Sequence, residues 1–160
     1  MKKKVMQTWF VVLLVIGLII GWLLPGDLKA LTKKISPNPL QPAVFDISKK
    51  LGQLELETPY FKYAVLAGTE TGGVELLRVD GTIPMHKHPK ETHFVYIYKG
   101  RAKGTIGSVT AEVGPGQLVV IPSGVPHSFE RIGDTPVEII VFSTPPFNPN
   151  DTMFLENMTK

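Results

Sequence analysis

Apolar and polar positions change rhythm twice along this chain. Val5 to Leu24 is twenty residues in which only Gln7 and Thr8 are polar. A helix of that length rises roughly 30 Å, the thickness of a bilayer's hydrocarbon layer. From Pro25 to Gln41 neither the helical nor the strand period persists. Pro25-Gly26 ends the helix, and Pro37, Pro39 and Pro42 favour an extended path. After residue 50 the apolar runs are short and separated by turn residues, the mark of an all-β sandwich or barrel. Leu54 to Leu56 alternates. Tyr60 to Ala67 and Val74 to Val79 read as a hairpin across Thr69–Gly73, and His93 to Lys99 and Arg101 to Ile106 hinge at Gly100. Ala111 to Val113, Leu118 to Ile121, His127 to Arg131 and Val137 to Phe142 complete the strands. One turn of helix is expected within Phe45 to Leu51.

The chain therefore divides into an N-terminal segment (1–26), a Pro-rich tether (27–43), a β-barrel (44–143) and a Pro-rich tail (144–160). The first segment reads as a single-pass transmembrane helix. Trp9 and Trp22 stand towards its two ends, where indoles favour the membrane interface, and Lys2, Lys3 and Lys4 precede it. By the positive-inside rule the N-terminus stays cytoplasmic and the barrel lies on the extracytoplasmic side, an asymmetry that Lys33 and Lys34 weaken. A cleaved signal peptide is the alternative. Leu28 fits poorly before Ala30 as a cleavage site, and the apolar run is longer than such a peptide's core, so an uncleaved anchor is the expectation. The tail, with Pro145, Pro146 and Pro149, is expected to lie across the barrel surface or hang free.

Composition narrows the partners. The net charge is +3, but without Lys2–Lys4 the seventeen basic residues become fourteen, matching the fourteen acidic ones. Binding nucleic acid requires an excess of cations on one face, so no nucleic acid is expected. There is no cysteine, hence no disulfide and no thiolate metal ligand.

All four histidines fall within residues 86–127: His86, His88, His93 and His127. Side chains alternate along a strand, so His86 and His88 share one face, and His93, Val95 and Ile97 share another. A turn at Pro89–Thr92 would bring His93 beside the first pair. Convergent neutral imidazoles suit one divalent transition metal (Fe, Mn, Ni, Cu or Zn). Glu91 is a rival ligand two residues from His93. Phe94, Tyr96 and Tyr98 form the opposite, aromatic face, expected to pack in a core or a dimer interface.

These residues resemble the cupins, small jelly-roll (double-stranded β-helix) domains. His86-Lys87-His88, four residues, His93, six residues and Gly100 follow that family's first motif. Gly116, Pro122, Gly124 and His127 follow every spacing of the second. The likeness covers about residues 60–143 and departs in three places. Four residues separate Gly81 from His86 where the motif has five, Arg131 replaces a terminal Asn, and His93 replaces the usual Glu. The resemblance implies a metal site of His86, His88, His93 and His127, with two adjacent positions open for water, O₂ or a bidentate substrate.

It further implies a metal-binding cupin acting on a small organic molecule, either as a dioxygenase or as an isomerase or lyase, which the N-terminal apolar run would anchor to the membrane. Metal-bound solvent is the expected base, since the pattern shows no inward carboxylate. The alternative is a non-catalytic module that holds a small ligand or metal at the membrane surface. A homodimer is expected because jelly-roll edge strands need covering.

Overall fold

The structure, a computed structural model, describes residues 40–155. The predicted anchor and nearly all of the tether lie outside the described residues, as does the end of the tail from 156.

Alternation builds the fold. In β10 (Val137–Thr144) Val137, Ile139, Val141 and Ser143 are buried, while the residues between them are half-buried or exposed. β10 lies between β3 (Gly73–Val79) and β5 (Thr92–Lys99), antiparallel to both, so a single strand sets the register of the main sheet. Val141 stands opposite Glu75 on one side and Val95 on the other; Ser143 stands opposite Gly73 and His93. β1 (Leu56–Glu57), β2 (Lys62–Gly68) and β8 (Leu118–Ile121) complete this six-stranded sheet in the order β1-β2-β3-β10-β5-β8. The second sheet runs β11-β4-β9-β6-β7. Its strands are β11 (Met153–Phe154), β4 (Thr82–Lys87), β9 (His127–Ile132), β6 (Arg101–Ile106) and β7 (Val109–Val113). The result is an all-β, cupin-like jelly roll of two sheets.

The space between the sheets is graded. Towards one end Val79, Ile97, Ala102, Val113 and Val137 pack as a dry core. At the other end the same inward rows finish in polar groups, since Ile97, Val95, His93 and Glu91 are successive inward residues leading into and along β5, all buried. One end of the barrel thus supplies hydrophobic stabilisation, and the other is left for a site.

A helical turn, α1 (Ile47–Leu51), is capped by Asp46, which accepts from the Lys49 amide at 3.0 Å. Its Ser48 hydroxyl lies 2.8 Å from that of Tyr98, on the outer face of the main sheet. Phe94, Tyr96 and Tyr98 stand on that outer face and not in the core, with Phe94 37% and Tyr98 36% exposed.

Gly100 turns β5 into β6 at φ +77°, and a Cβ there would overlap the carbonyl of Pro136. Gly116 has φ +87° with open space where its Cβ would go. Alanine at Gly116 should therefore cost only the left-handed strain, about 1 kcal/mol, and at Gly100 at least about 2–3 kcal/mol. Urea melts of the two variants check this; equal losses would mean that the backbone overlap is relieved without cost.

Candidate metal centre

His86, His88, His93 and His127 are all buried and line one cavity. Three separate pieces of chain deliver them: the end of β4 and the turn after it, the start of β5, and the start of β9. The delivery by β4 depends on a bulge. Ile83 pairs with Phe129 and His86 with His127, leaving two residues of β4 against one of β9. The extra residue reverses parity, so Ile83 and then His86 and His88 face inwards while Pro84 and Met85 are only half-buried. With regular pairing Met85 would oppose His127.

Ring centroids are 4.2 Å apart for His86 and His127, 4.4 Å for His88 and His93, and 5.1 Å for His86 and His88. His127 lies 5.4 Å from His88 and 6.4 Å from His93. Donor atoms fall into two overlapping triads: His86, His88 and His127, and His88, Glu91 and His93, each with its donors within 4.8 Å of one another. The structure thus gathers all four predicted histidines and adds Glu91, the rival ligand, inside the same group. Nε2 of His93 is 2.8 Å from Oε2 of Glu91.

Backbone carbonyls fix two of the rings. Nδ1 of His86 lies 2.7 Å from the Pro84 oxygen, and Nδ1 of His127 lies 3.0 Å from that of Val125. In a neutral imidazole each Nδ1–H then donates to the carbonyl, and the Nε2 lone pair is left for the cavity. The rings are held neutral. Burial, followed by repulsion from the other histidines, pushes His88 down to about 2. Burial and the neighbouring His86 push His127 down to about 3, and burial lowers His86 as well. Buried, uncharged nitrogens on carbonyl-locked rings are the donor set a divalent transition ion takes. The residues fit a metal.

One carboxyl, Glu75, lines the cavity and a second, Glu91, is buried beside the histidines, against the expectation that none points inwards. Glu91 accepts from the Asn148 amide through Oε1 at 2.7 Å. Glu75 is 2% exposed, and the Ser143 hydroxyl bonds its carboxyl, 3.0 Å from each oxygen. Burial, with a smaller push from Glu91, raises Glu75 to about 7 despite the Ser143 bond. The parity of β3 could have revealed it, because Glu75 shares a face with Leu77 and the buried Val79.

The tail also departs from expectation. Phe147, Thr152 and Phe154 of this segment line the cavity instead of lying over the outside. Asp151 accepts from the amides of Lys90 (2.9 Å) and Glu91 (3.3 Å), Leu155 donates to the Met85 carbonyl (3.0 Å), and β11 adds to β4. Phe147 packs 6.3 Å from the His88 ring and Phe154 5.6 Å from His86. No periodicity in the tail announced this, since the ties are largely to backbone groups. The cavity volume is about 60 Å³, room for roughly four or five waters, with walls that are mainly apolar.

A pH dependence follows for the metal-free protein. Unfolded imidazoles gain a proton near pH 6.5, whereas His88 and His127 hold out to about 2 and 3. The unfolded state then binds more protons across that window, so stability falls as pH drops below 6.5, by up to about 1.4 kcal/mol per pH unit for each histidine. Glu75 acts oppositely between its unfolded value of 4.5 and about 7, favouring the fold as pH falls. The histidines outnumber it, and a stability maximum is expected near pH 6.5. Urea melts of metal-free protein from pH 4.5 to 8 check this; a flat profile would contradict the burial described.

Residues 73–143 match the family model described as a cupin domain. An uncharacterised protein of Methanocaldococcus jannaschii is 38% identical over 72 residues, which cover 45% of this chain and 58% of that one. The chain thus spans less than two thirds of that relative's length. A Streptomyces cyaneus protein named polyketide synthase CurC is 28% identical over 123 residues, covering 71% of this chain and 76% of its own. Among solved structures, that of a Bacillus halodurans protein superposes with a TM-score of 0.59 at 20% identity, over 72% of this chain and 89% of the other. The jelly roll from β3 to β10, with its histidine motifs gathered at one end and matched by that family model, is a cupin domain.

Proposed function

We propose that this chain is a membrane-anchored, metal-binding cupin that acts on a small organic molecule at a mononuclear centre. His86, His88 and His127 hold the ion, and His93 completes the set with Glu91 accepting from its ring. The observation that carries the reading is the pair of carbonyl-locked rings, which leave buried nitrogens facing a mainly apolar cavity where ordinary core packing would have no use for them. A divalent ion there supplies Lewis acidity towards a carbonyl or carboxylate oxygen. The chain's own contribution is to bind and to exclude water: apolar walls and the Phe147–Phe154 segment leave room for only a few heavy atoms beside the histidines.

Metal analysis of protein purified without chelators or added metal should find one divalent transition ion per chain. His88→Ala, which removes the ring common to both triads, should cut affinity at least about a hundredfold. His93→Glu should retain metal with altered reactivity. Protons compete with the ion for imidazole, so occupancy should fall below roughly pH 6. Full occupancy at pH 4.5 would assign the ion to carboxylates instead.

The anchor is the second part of the reading. Its support is the apolar run Val5–Leu24, outside the described residues; among the described residues no helix is long and apolar enough to cross a membrane. The full-length chain should stay with the membrane fraction through alkaline carbonate extraction, and deletion of residues 1–26 should release it. Extraction of the intact chain by carbonate would remove the anchor from the proposal.

A further inference from the structure

We propose that Glu75 is the acid–base residue of this centre, exchanging a proton with a small 2-hydroxy carbonyl compound seated against the histidines. The inference deepens the reading above and rests on it.

Glu75 occupies a slot shaped for a carboxyl. A Cβ at Gly73, opposite Ser143 in the sheet, would collide with Oε1 of Glu75, so the glycine leaves that space to the carboxyl. Ser143 reaches both carboxyl oxygens from β10, and its own oxygen accepts from the Phe147 amide at 3.0 Å. Besides Ser143 and the Phe147 amide, the charged group acting on Glu75 is Glu91 from the turn before β5; no cation pairs with it among the described residues. The four histidines line the same cavity. A buried carboxyl with no cation is costly to keep as an ion, and a glutamine would make the same bond to Ser143. What only the acid provides is a proton that can be given and taken back. Its value near 7 splits it between both forms at neutral pH, which suits an acid–base group.

Size and balance define the substrate class. A cavity of about 60 Å³, partly open, favours the shortest such molecules, of about three carbons. The ionised carboxyl takes the hydrogen from the carbon bearing the hydroxyl; the C–H electron pair forms the C=C bond, and the carbonyl π pair moves onto oxygen at the histidine end. Return of the proton to the former carbonyl carbon, with the hydroxyl proton passing to the first oxygen, interconverts hydroxy ketone and hydroxy aldehyde. No oxidant or co-reactant is consumed.

The test uses the full-length chain with its metal, dihydroxyacetone and hydroxyacetone as probes in D₂O, and mass spectrometry for deuterium uptake. Metal content and thermal midpoint are read on the same samples. Infrared difference spectra of metal-free protein follow the carboxyl. Wild type should exchange hydrogen and show a buried acid band that disappears between about pH 6 and 8. Glu75→Gln should lose the band and at least about a hundredfold of the exchange, with metal content retained. Exchange undiminished in Glu75→Gln overturns the role of Glu75 and leaves the metal reading standing; metal-loaded wild type that exchanges neither probe also overturns it. Absence of metal from wild type overturns the underlying reading itself. If Glu75→Gln does not fold, Glu75→Asp carries the test: the band should persist while exchange falls, and unchanged exchange would again overturn the role.

Discussion

Burying four imidazoles and a carboxyl around one mainly apolar cavity, with a second carboxyl beside them, is the constraint on which the rest of this structure depends. Each of these groups loses hydration on burial and must be compensated within the protein. Among the described residues no buried side-chain nitrogen or oxygen lacks a hydrogen-bond partner, and the partners come largely from local backbone. Pro84 and Val125 supply carbonyls two residues before the histidines they orient; Asn148 and Phe147 supply amides from the tail. The tail is thereby drawn over the cavity to meet polar groups that would otherwise be unpaired. Its place against the cavity follows from that requirement as much as from burial of Phe147 and Phe154.

The same constraint explains where stabilisation and chemistry are separated. Along β5 the inward row runs from Ile97 through Val95 to His93, with Glu91 just before it, so polarity rises towards one end of a single strand. β10 repeats the gradient from Val137 to Ser143. Because the two strands are in register, the apolar ends coincide and so do the polar ends. The barrel keeps a dry core without surrounding the site with it on every side.

Much of this was legible before any coordinates. Period-two alternation and glycine turns marked the strands, and the spacing of His86, His88, His93 and His127 marked the cluster, because both depend on side-chain parity, which sequence displays directly. Three features were not legible for equally physical reasons. The β4 bulge is a pairing fault between distant strands, invisible from β4 alone. Glu75 follows the parity of β3, but a lone acid in a strand reads as solvated until the opposite sheet is known to cover it. The tail is fixed through amides and carbonyls, which every residue carries and no residue type advertises.

The replacement of the motif's glutamate by His93 then has a different meaning from the loss of a charge. Residues 91 and 93 lie on the same inward row, so a carboxylate at Glu91 joins the same donor group one pleat away. It lies 2.8 Å from the imidazole and is fixed in turn by the Asn148 amide. The acid remains beside the donor atoms of His88 and His93, and it also orients one of them. A carboxylate there still offsets the charge of an ion in the cavity, while polarising His93 and strengthening it as a donor. It also makes the position of His93 depend on the tail, since Glu91 is held by Asn148 through its side chain and by Asp151 through its amide. Any displacement of residues 148–151 must therefore be felt at the histidine cluster, and the C-terminal segment belongs to the site.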